Sequence, residues 1–162
     1  MANHPETIAN TVFVNEFDSD TDMATLAQVS GWFENNLGEL NTLLFTSFSG
    51  SGKVGTSAQI FTPTLGLEES GIYKKLYLKH FYKKKARNVL KGIDSSVDFI
   101  SLREGDSMIT RTNKNEIAKT YRALAKDAEE ELEKAVYAYN YYQAKPRQVA
   151  GDEVRISPTG DC

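Results

Sequence analysis

Residues 113–144 read NKNEIAKTYRALAKDAEEELEKAVYAYNYYQA, and this stretch decides the fold. Apolar residues recur along it at three- and four-residue steps, which is the pattern of an amphipathic helix. Asn113 and Glu116 form a capping pair at its start, and Pro146 prevents its continuation. The stretch therefore predicts a helix of about 30 residues, a rod of roughly 45 Å. Its apolar positions are Ile117, Tyr121, Leu124, Ala128, Leu132, Val136 or Ala135, Tyr139 and Tyr142.

A second helix is predicted before this one, from Leu67 to Leu90. Acidic residues stand at its start, where the positive end of the helix dipole favours them, and basic residues stand near its negative end. A glycine closes it. These signals are Glu68 and Glu69 at the start, and Arg87, Lys91 and Gly92 at the finish.

The first helix is predicted over residues 23–45. Thr25 and Gln28 form a capping box at its start, and Asp22 is an alternative cap. Gly31 and Gly38 lie inside it, where each costs about 1 kcal/mol relative to alanine. They allow close packing or mark a break in the helix. The apolar stripe consists of Leu26, Val29, Phe33, Leu37, Leu40 and Leu44.

The segments between the helices have weaker patterns. Residues 11–17 alternate and predict a short strand or an extended arm, residues 46–66 predict a long loop, and residues 93–112 predict an extended connector or a small hairpin. The fold class is therefore mainly α, a three-helix antiparallel bundle-like domain with a long loop, a short extended or β connector and extended termini. We expect an N-terminal arm at 1–20, a helical domain at 21–145 and a C-terminal tail at 146–162.

Composition narrows the class of protein. The chain has 162 residues, 40% of them hydrophobic and 25% charged, with a net charge of −3, which fits one globular domain. Cys162 is the single cysteine, so an internal disulfide and a multi-thiolate zinc site are both excluded. We find neither a signal peptide nor an apolar run long enough to span a membrane, and expect a soluble, unsecreted protein.

Each candidate catalytic or binding motif lacks a necessary residue. Gly52-Lys53 resembles the end of a phosphate-binding loop, but Ser47 replaces its first glycine and Val54 its magnesium-binding hydroxyl. With only His4 and His80, the chain has too few histidines for a metal site or a catalytic triad, and His80 fits a packed or interface position better. We therefore expect no cofactor, metal or catalytic residue. The carboxylates Asp127, Glu129, Glu130, Glu131 and Glu133 fit a solvated helix surface.

The second helix is strongly cationic. Eight basic residues fall within residues 74–91, interleaved with aromatic residues, and no acidic residue lies between Ser70 and Ile93. Two interpretations remain open: a surface that binds nucleic acid through phosphates and stacked bases, or a charge match to the acidic third helix or to another copy. The basic residues are Lys74, Lys75, Lys79, Lys83, Lys84, Lys85, Arg87 and Lys91.

Four tyrosines crowd the end of the third helix: Tyr137, Tyr139, Tyr141 and Tyr142. They place aromatic area on more than one face of that helix. Tyrosine is enriched at interfaces because it combines area with a hydrogen-bonding group, so this end is either a core corner or a docking surface.

The order of elements resembles the small neck proteins of tailed bacteriophages, the head-to-tail connectors or adaptors. The segments that carry the resemblance are GWFENNLGELNTLL (31–44), SLREGDS (101–107) and the long helix at 113–144, within residues 20–145. The resemblance implies a structural virion protein, made in the host cytoplasm, whose copies form a ring on the portal. Its partners would be other copies, portal and tail proteins, and DNA passing through a lumen, with no membrane contact. The alternative is a small helical nucleic-acid-binding module that uses residues 74–91.

Overall fold

The computed structural model describes residues 4–51, 60–91, 101–104, 107–110 and 114–144. Within them, two long helices confirm the sequence prediction: α4 spans Leu67–Leu90 and α5 spans Lys114–Ala144. They run antiparallel, because Lys83 near the end of α4 and Glu69 at its start reach Glu129 and Tyr139 of α5 respectively. The predicted cap Asn113 and the tail at 146–162 lie outside the described residues.

The predicted first helix is divided into two. Helix α2 spans Leu26–Asn35 and α3 spans Leu37–Leu44, and both meet at Asn36, whose backbone angles are not helical. The break does not come from a glycine. The Asn36 side chain donates a hydrogen bond of 2.8 Å to the carbonyl of Trp32, which also accepts the Asn36 backbone amide at 3.0 Å, so both bonds close the last turn of α2.

The capping box at the start of α2 is confirmed. The Gln28 backbone amide donates to the Thr25 hydroxyl at 3.3 Å, and the Thr25 amide donates to the Gln28 side-chain oxygen at 3.4 Å. These two bonds satisfy amide groups that the first turn of a helix otherwise leaves without partners. The start of α2 is thus determined locally by two side chains.

The N-terminal prediction was wrong. Residues Pro5–Asn15 form helix α1, so the described part of the arm at 1–20 is helical rather than extended. The alternation over residues 11–17 is too short to distinguish the two-residue period of a strand from the 3.6-residue period of a helix. The buried residues Ile8, Ala9 and Val12 follow helical spacing, and Pro5 occupies the first turn, where its missing amide costs nothing. Helix α1 packs mainly on α2 and is part of the core.

Two short hairpins complete the described fold. Within the predicted loop at 46–66, β1 (Ser49–Ser51) pairs antiparallel with β2 (Ile60–Thr62), while residues 52–59 lie outside the described set. Phe48, just before β1, and Phe61, in the middle of β2, are both buried, so this hairpin is anchored to the core through both of its strands. In the predicted connector at 93–112, β3 (Ser101–Glu104) pairs with β4 (Ser107–Thr110), which confirms the hairpin alternative.

The core is unusually aromatic where α2 crosses α4. Phe33 and Tyr73 pack edge to face at 4.8 Å between ring centroids, and the Tyr73 hydroxyl donates to the Phe33 carbonyl at 2.6 Å. Phe17 and Phe81 close the same cluster at 4.6 Å. The mainly α class is confirmed, with five helices rather than three in the described residues. The α4–α5 pair also carries the cationic residues and the tyrosines that the sequence predicts to form contacts.

Candidate interaction surfaces

The face of α4 that packs on α5 carries a network of ion pairs. The Lys79 and Lys83 ammonium groups lie 2.8 and 3.0 Å from the two carboxylate oxygens of Glu129, and Lys75 pairs with Glu131. These hydrogen bonds lower the pKa of Glu129, so it is ionised at neutral pH. The second and third predicted helices are therefore joined by ion pairs, which involve three of the eight basic residues of the second helix.

Two more cations make contacts within the chain. The Lys85 ammonium donates to the carbonyl of Asp22 at 3.3 Å and lies 5.4 Å from the ring centroid of Phe81. That distance is typical of a cation–π contact. Arg87 donates through Nε to the carbonyl of Lys83, yet its side chain stays exposed. Neither contact neutralises a charge.

A stripe of exposed cations remains on another face of α4. Lys84 and Arg87 are exposed and three residues apart, so they share one face near the end of the helix, and the exposed Lys91 follows them at the C-cap. Within the described ranges, none of the three has a carboxylate partner. We call these residues the cationic stripe. Sequence alone did not separate it, because the eight cations cover most of the helix circumference until pairing with α5 removes one side.

The four predicted tyrosines divide into one core residue and three surface residues. Tyr139 is 8% exposed and donates from its hydroxyl to the Glu69 carboxylate at 2.8 Å. Burial, with this acidic partner, raises the pKa of Tyr139 to about 12. Tyr137, Tyr141 and Tyr142 are 73%, 67% and 68% exposed. The core-corner and docking-surface interpretations each hold for part of the set.

The exposed tyrosines lie at the same end of the helical pair as two other exposed apolar side chains. Leu67 at the start of α4 is 86% exposed, and Phe45 after α3 is 87% exposed. Asn140 of α5 donates to the carbonyl of Leu43 at 3.0 Å, which holds the end of α3 beside the tyrosines. We call this surface the aromatic end, and it comprises Phe45, Leu67, Tyr137, Tyr141 and Tyr142.

A groove of about 440 Å³ runs between the start of α4 and the end of α5. Its floor contains small residues, and a β-carbon added at Gly71 would meet nothing within 4 Å. Glu68 and Lys75 stand at its polar edge. The residues that matter for its shape are Leu67, Gly71, Ile72, Ala135, Ala138 and Tyr142. The sequence offered no signal for this groove, since it depends on how two distant segments pack.

His80 lies in a separate cleft of about 300 Å³ beside Trp32 and Tyr77. Burial lowers the pKa of His80, so the ring is neutral at pH 7. The Trp32 indole nitrogen is buried and has no acceptor among the described residues. His80 packs 5.4 Å from the Trp32 ring, which agrees with the predicted packed role. His4 stands at the N-cap of α1.

The acidic and histidine side chains of the described residues do not gather into a metal site. No three histidine, cysteine, aspartate or glutamate residues there are grouped closely enough to hold a metal ion. Of the acidic cluster on α5, Asp127, Glu130 and Glu133 are exposed. The Gly52-Lys53 motif lies outside the described residues.

Comparison with protein families, characterised proteins and solved structures finds no significant match to the chain. Among the helices that the structure describes, none combines the length and apolar character needed to cross a membrane.

Proposed function

We propose that the protein is a structural subunit of a tailed-bacteriophage neck, in which copies of the chain assemble into a ring between the portal and the tail. It works by contact with other copies, with portal and tail proteins, and with DNA in the lumen of the ring. It has no catalytic role and binds no cofactor. This proposal extends the resemblance of residues 20–145 to phage connectors.

The aromatic end is the observation that carries the proposal. Its five side chains are large, apolar or aromatic, and at least two-thirds exposed, although a monomer gains nothing from holding them in water. Exposed apolar and aromatic side chains concentrated at one end of a protein are typical of protein–protein contact sites, and tyrosine is among the residues enriched there. The backbone adds to this, because Phe45 holds a left-handed conformation that is unfavourable for a residue with a bulky side chain.

The internal ion pairs support the same function. Ion pairs to α5 engage three lysines of α4, namely Lys75, Lys79 and Lys83. This face of α4 therefore stabilises the α4–α5 pair and is not an open basic surface. A braced helical pair is suited to side-by-side packing of copies, since ring contacts require a surface that keeps its shape.

The test is the assembly state of the full chain. We expect sedimentation and negative-stain electron microscopy to show closed rings of one size, either alone or after addition of the portal protein from the same genome. Phe45→Asn suits the left-handed backbone and should weaken assembly without lowering the melting temperature. Val14→Asn is the matched control, because Val14 is 46% exposed on α1, away from the aromatic end.

The proposal fails if the chain remains a monomer at about 1 mM, where even weak complexes form, and also fails to co-sediment with the portal protein. If Phe45→Asn and Val14→Asn weaken assembly equally, the aromatic end no longer supports the proposed function. A genomic neighbourhood without genes for portal, capsid and tail proteins would count against the assignment to a virion.

Contact with nucleic acid is a second candidate, favoured by the cationic stripe. If three phosphates are bound there, the slope of log K against log salt should become about 2.7 units shallower when Lys84, Arg87 and Lys91 are changed to glutamate. Fluorescence anisotropy with a labelled DNA duplex measures this slope. The matched control changes the exposed α5 cations Lys119, Lys126 and Lys134 to glutamate, and equal loss in both variants would refute a specific role for the stripe.

A further inference from the structure

Two apolar features lie on different faces of the same end of α5. Tyr137 and Tyr141 stack on each other with ring centroids 6.2 Å apart and planes 17° apart, and both are exposed. Ala135, Ala138 and Tyr142 line the groove against α4. At 3.6 residues per turn, the tyrosine pair points roughly 130° away from the centre of the groove. One copy therefore presents a projection and a depression in different directions.

The groove has the shape of a site that receives side chains. Gly71, Ala135 and Ala138 keep its floor low, while Leu67 and Tyr142 form its walls. Glycine is among the least favourable residues inside a helix, and the space beside Gly71 is open within the monomer. The absence of a side chain at Gly71 leaves room in the groove for the side chains of another surface.

The charges beside the two features are complementary. Lys74 lies three residues after Gly71 and seven after Leu67, so it flanks the groove on the α4 side. Glu133 lies one turn before Tyr137 on the outer face of α5 and is exposed. Neither residue has an ion-pair partner among residues that the structure describes. The tyrosine pair therefore has an acidic residue, Glu133, beside it, and the groove has a basic residue, Lys74, beside it.

We propose that the Tyr137–Tyr141 pair of one copy seats in the α4–α5 groove of a second copy, with Glu133 of the first facing Lys74 of the second. The contact is heterologous, because different surfaces of identical chains meet, and repetition closes a ring or extends a filament. It rests on the proposed function for its assumption that copies assemble, and it adds which surfaces meet and in which direction.

The experiment uses two variants of the full chain, each blocking one side of the contact. Tyr137→Ser with Tyr141→Ser removes the projection, and both positions are exposed, so the fold is retained. Gly71→Leu fills the groove and favours the helix, so its melting temperature should equal or exceed that of the wild type. Gly38→Leu is the matched control, because Gly38 also has open space around it but does not line the groove.

Sedimentation velocity should show at least a tenfold loss of self-association for each blocking variant alone and none for Gly38→Leu. A mixture of the two blocking variants keeps one intact projection and one intact groove. It should form 1:1 dimers and nothing larger. Lys74→Glu and Glu133→Lys should each weaken assembly, and the two together in one chain should restore it, whereas Glu130→Lys should not rescue Lys74→Glu.

Several outcomes overturn the contact. If Gly71→Leu assembles like the wild type, the groove is covered by something else, such as the chain's own residues 145–162. If the mixed variants remain monomers, the tyrosines and the groove do not meet. In either case assembly of the wild type still supports the proposed function, so the two failures are distinguishable. A wild-type chain that never assembles, alone or with the portal protein, removes both.

Discussion

Glu129 is the residue whose replacement best tests whether the lysines of α4 are structural. Its two carboxylate oxygens lie 2.8 and 3.0 Å from the Lys79 and Lys83 ammonium groups. Because the carboxylate is one-third exposed, solvent screens both pairs, and each contributes only about 0.5 kcal/mol. Glu129→Gln also leaves two like charges one helical turn apart, which costs about 0.3 kcal/mol more.

We therefore expect Glu129→Gln to lower the free energy of unfolding by about 1 kcal/mol, which corresponds to a fall of about 2–4 °C in the melting temperature. Urea and thermal unfolding followed by circular dichroism measure both quantities. The matched control is Glu130→Gln, since Glu130 is exposed and its nitrogen–oxygen distance to Lys126 is 3.7 Å. That control should change the free energy of unfolding by less than about 0.3 kcal/mol.

The same prediction carries a pH and salt signature. The lysines lower the pKa of Glu129 in the folded state, so its contribution is present above the ordinary carboxyl pKa and disappears as pH falls through the lower folded value. The difference between wild type and Glu129→Gln should thus vanish in acid. It should also shrink in about 1 M salt, where the screening length is about 3 Å. A Glu129→Gln variant as stable as Glu130→Gln, or a difference insensitive to both salt and pH, would refute the reasoning.

Two further predictions concern the core and the capping box. Tyr73→Phe should destabilise the fold by about 1–2 kcal/mol in urea unfolding, because it leaves the buried Phe33 carbonyl without its donor. Tyr77→Phe should be nearly neutral in the same assay, because Tyr77 is buried but its hydroxyl has no partner among the described residues. Burial raises the pKa of Tyr73, so its share of stability is present below about pH 10 and is lost as pH rises further, which a titration of unfolding midpoints checks against Tyr73→Phe. Thr25→Ala should cost about 1 kcal/mol through loss of the cap, while Thr25→Ser should cost little, and equal midpoints for the two would contradict the capping geometry.

Local signals made the long helices predictable. Glu68 and Glu69 in the first turn of α4 and Arg87 in its last turn mark its ends, and eight apolar positions at three- and four-residue steps indicate the helix α5. The capping box at Thr25 and Gln28 could likewise be predicted from the sequence, since both residues lie within one turn. In each case the residues that determine the structure are neighbours in the chain.

The errors occurred where local signals were ambiguous. Residues 11–17 match a strand over seven positions, and only the burial of Ile8, Ala9 and Val12 against α2 selects a helix. The break at Asn36 interrupts the helix without interrupting the apolar spacing, which continues from Phe33 to Leu37. Local propensity and period are weak guides at such positions, because tertiary packing overrides them.

The sequence by itself determined that this chain is mainly helical, that α4 is cationic and that the end of α5 is rich in tyrosine. Only the tertiary structure decided what those residues are available to do. Packing of α5 on α4 pairs Lys75, Lys79 and Lys83 with two carboxylates, buries Tyr139 and leaves the cationic stripe and the aromatic end exposed. The physical reason is that a residue's charge and surface are properties of the chain, whereas its exposure depends on which distant segment packs against it.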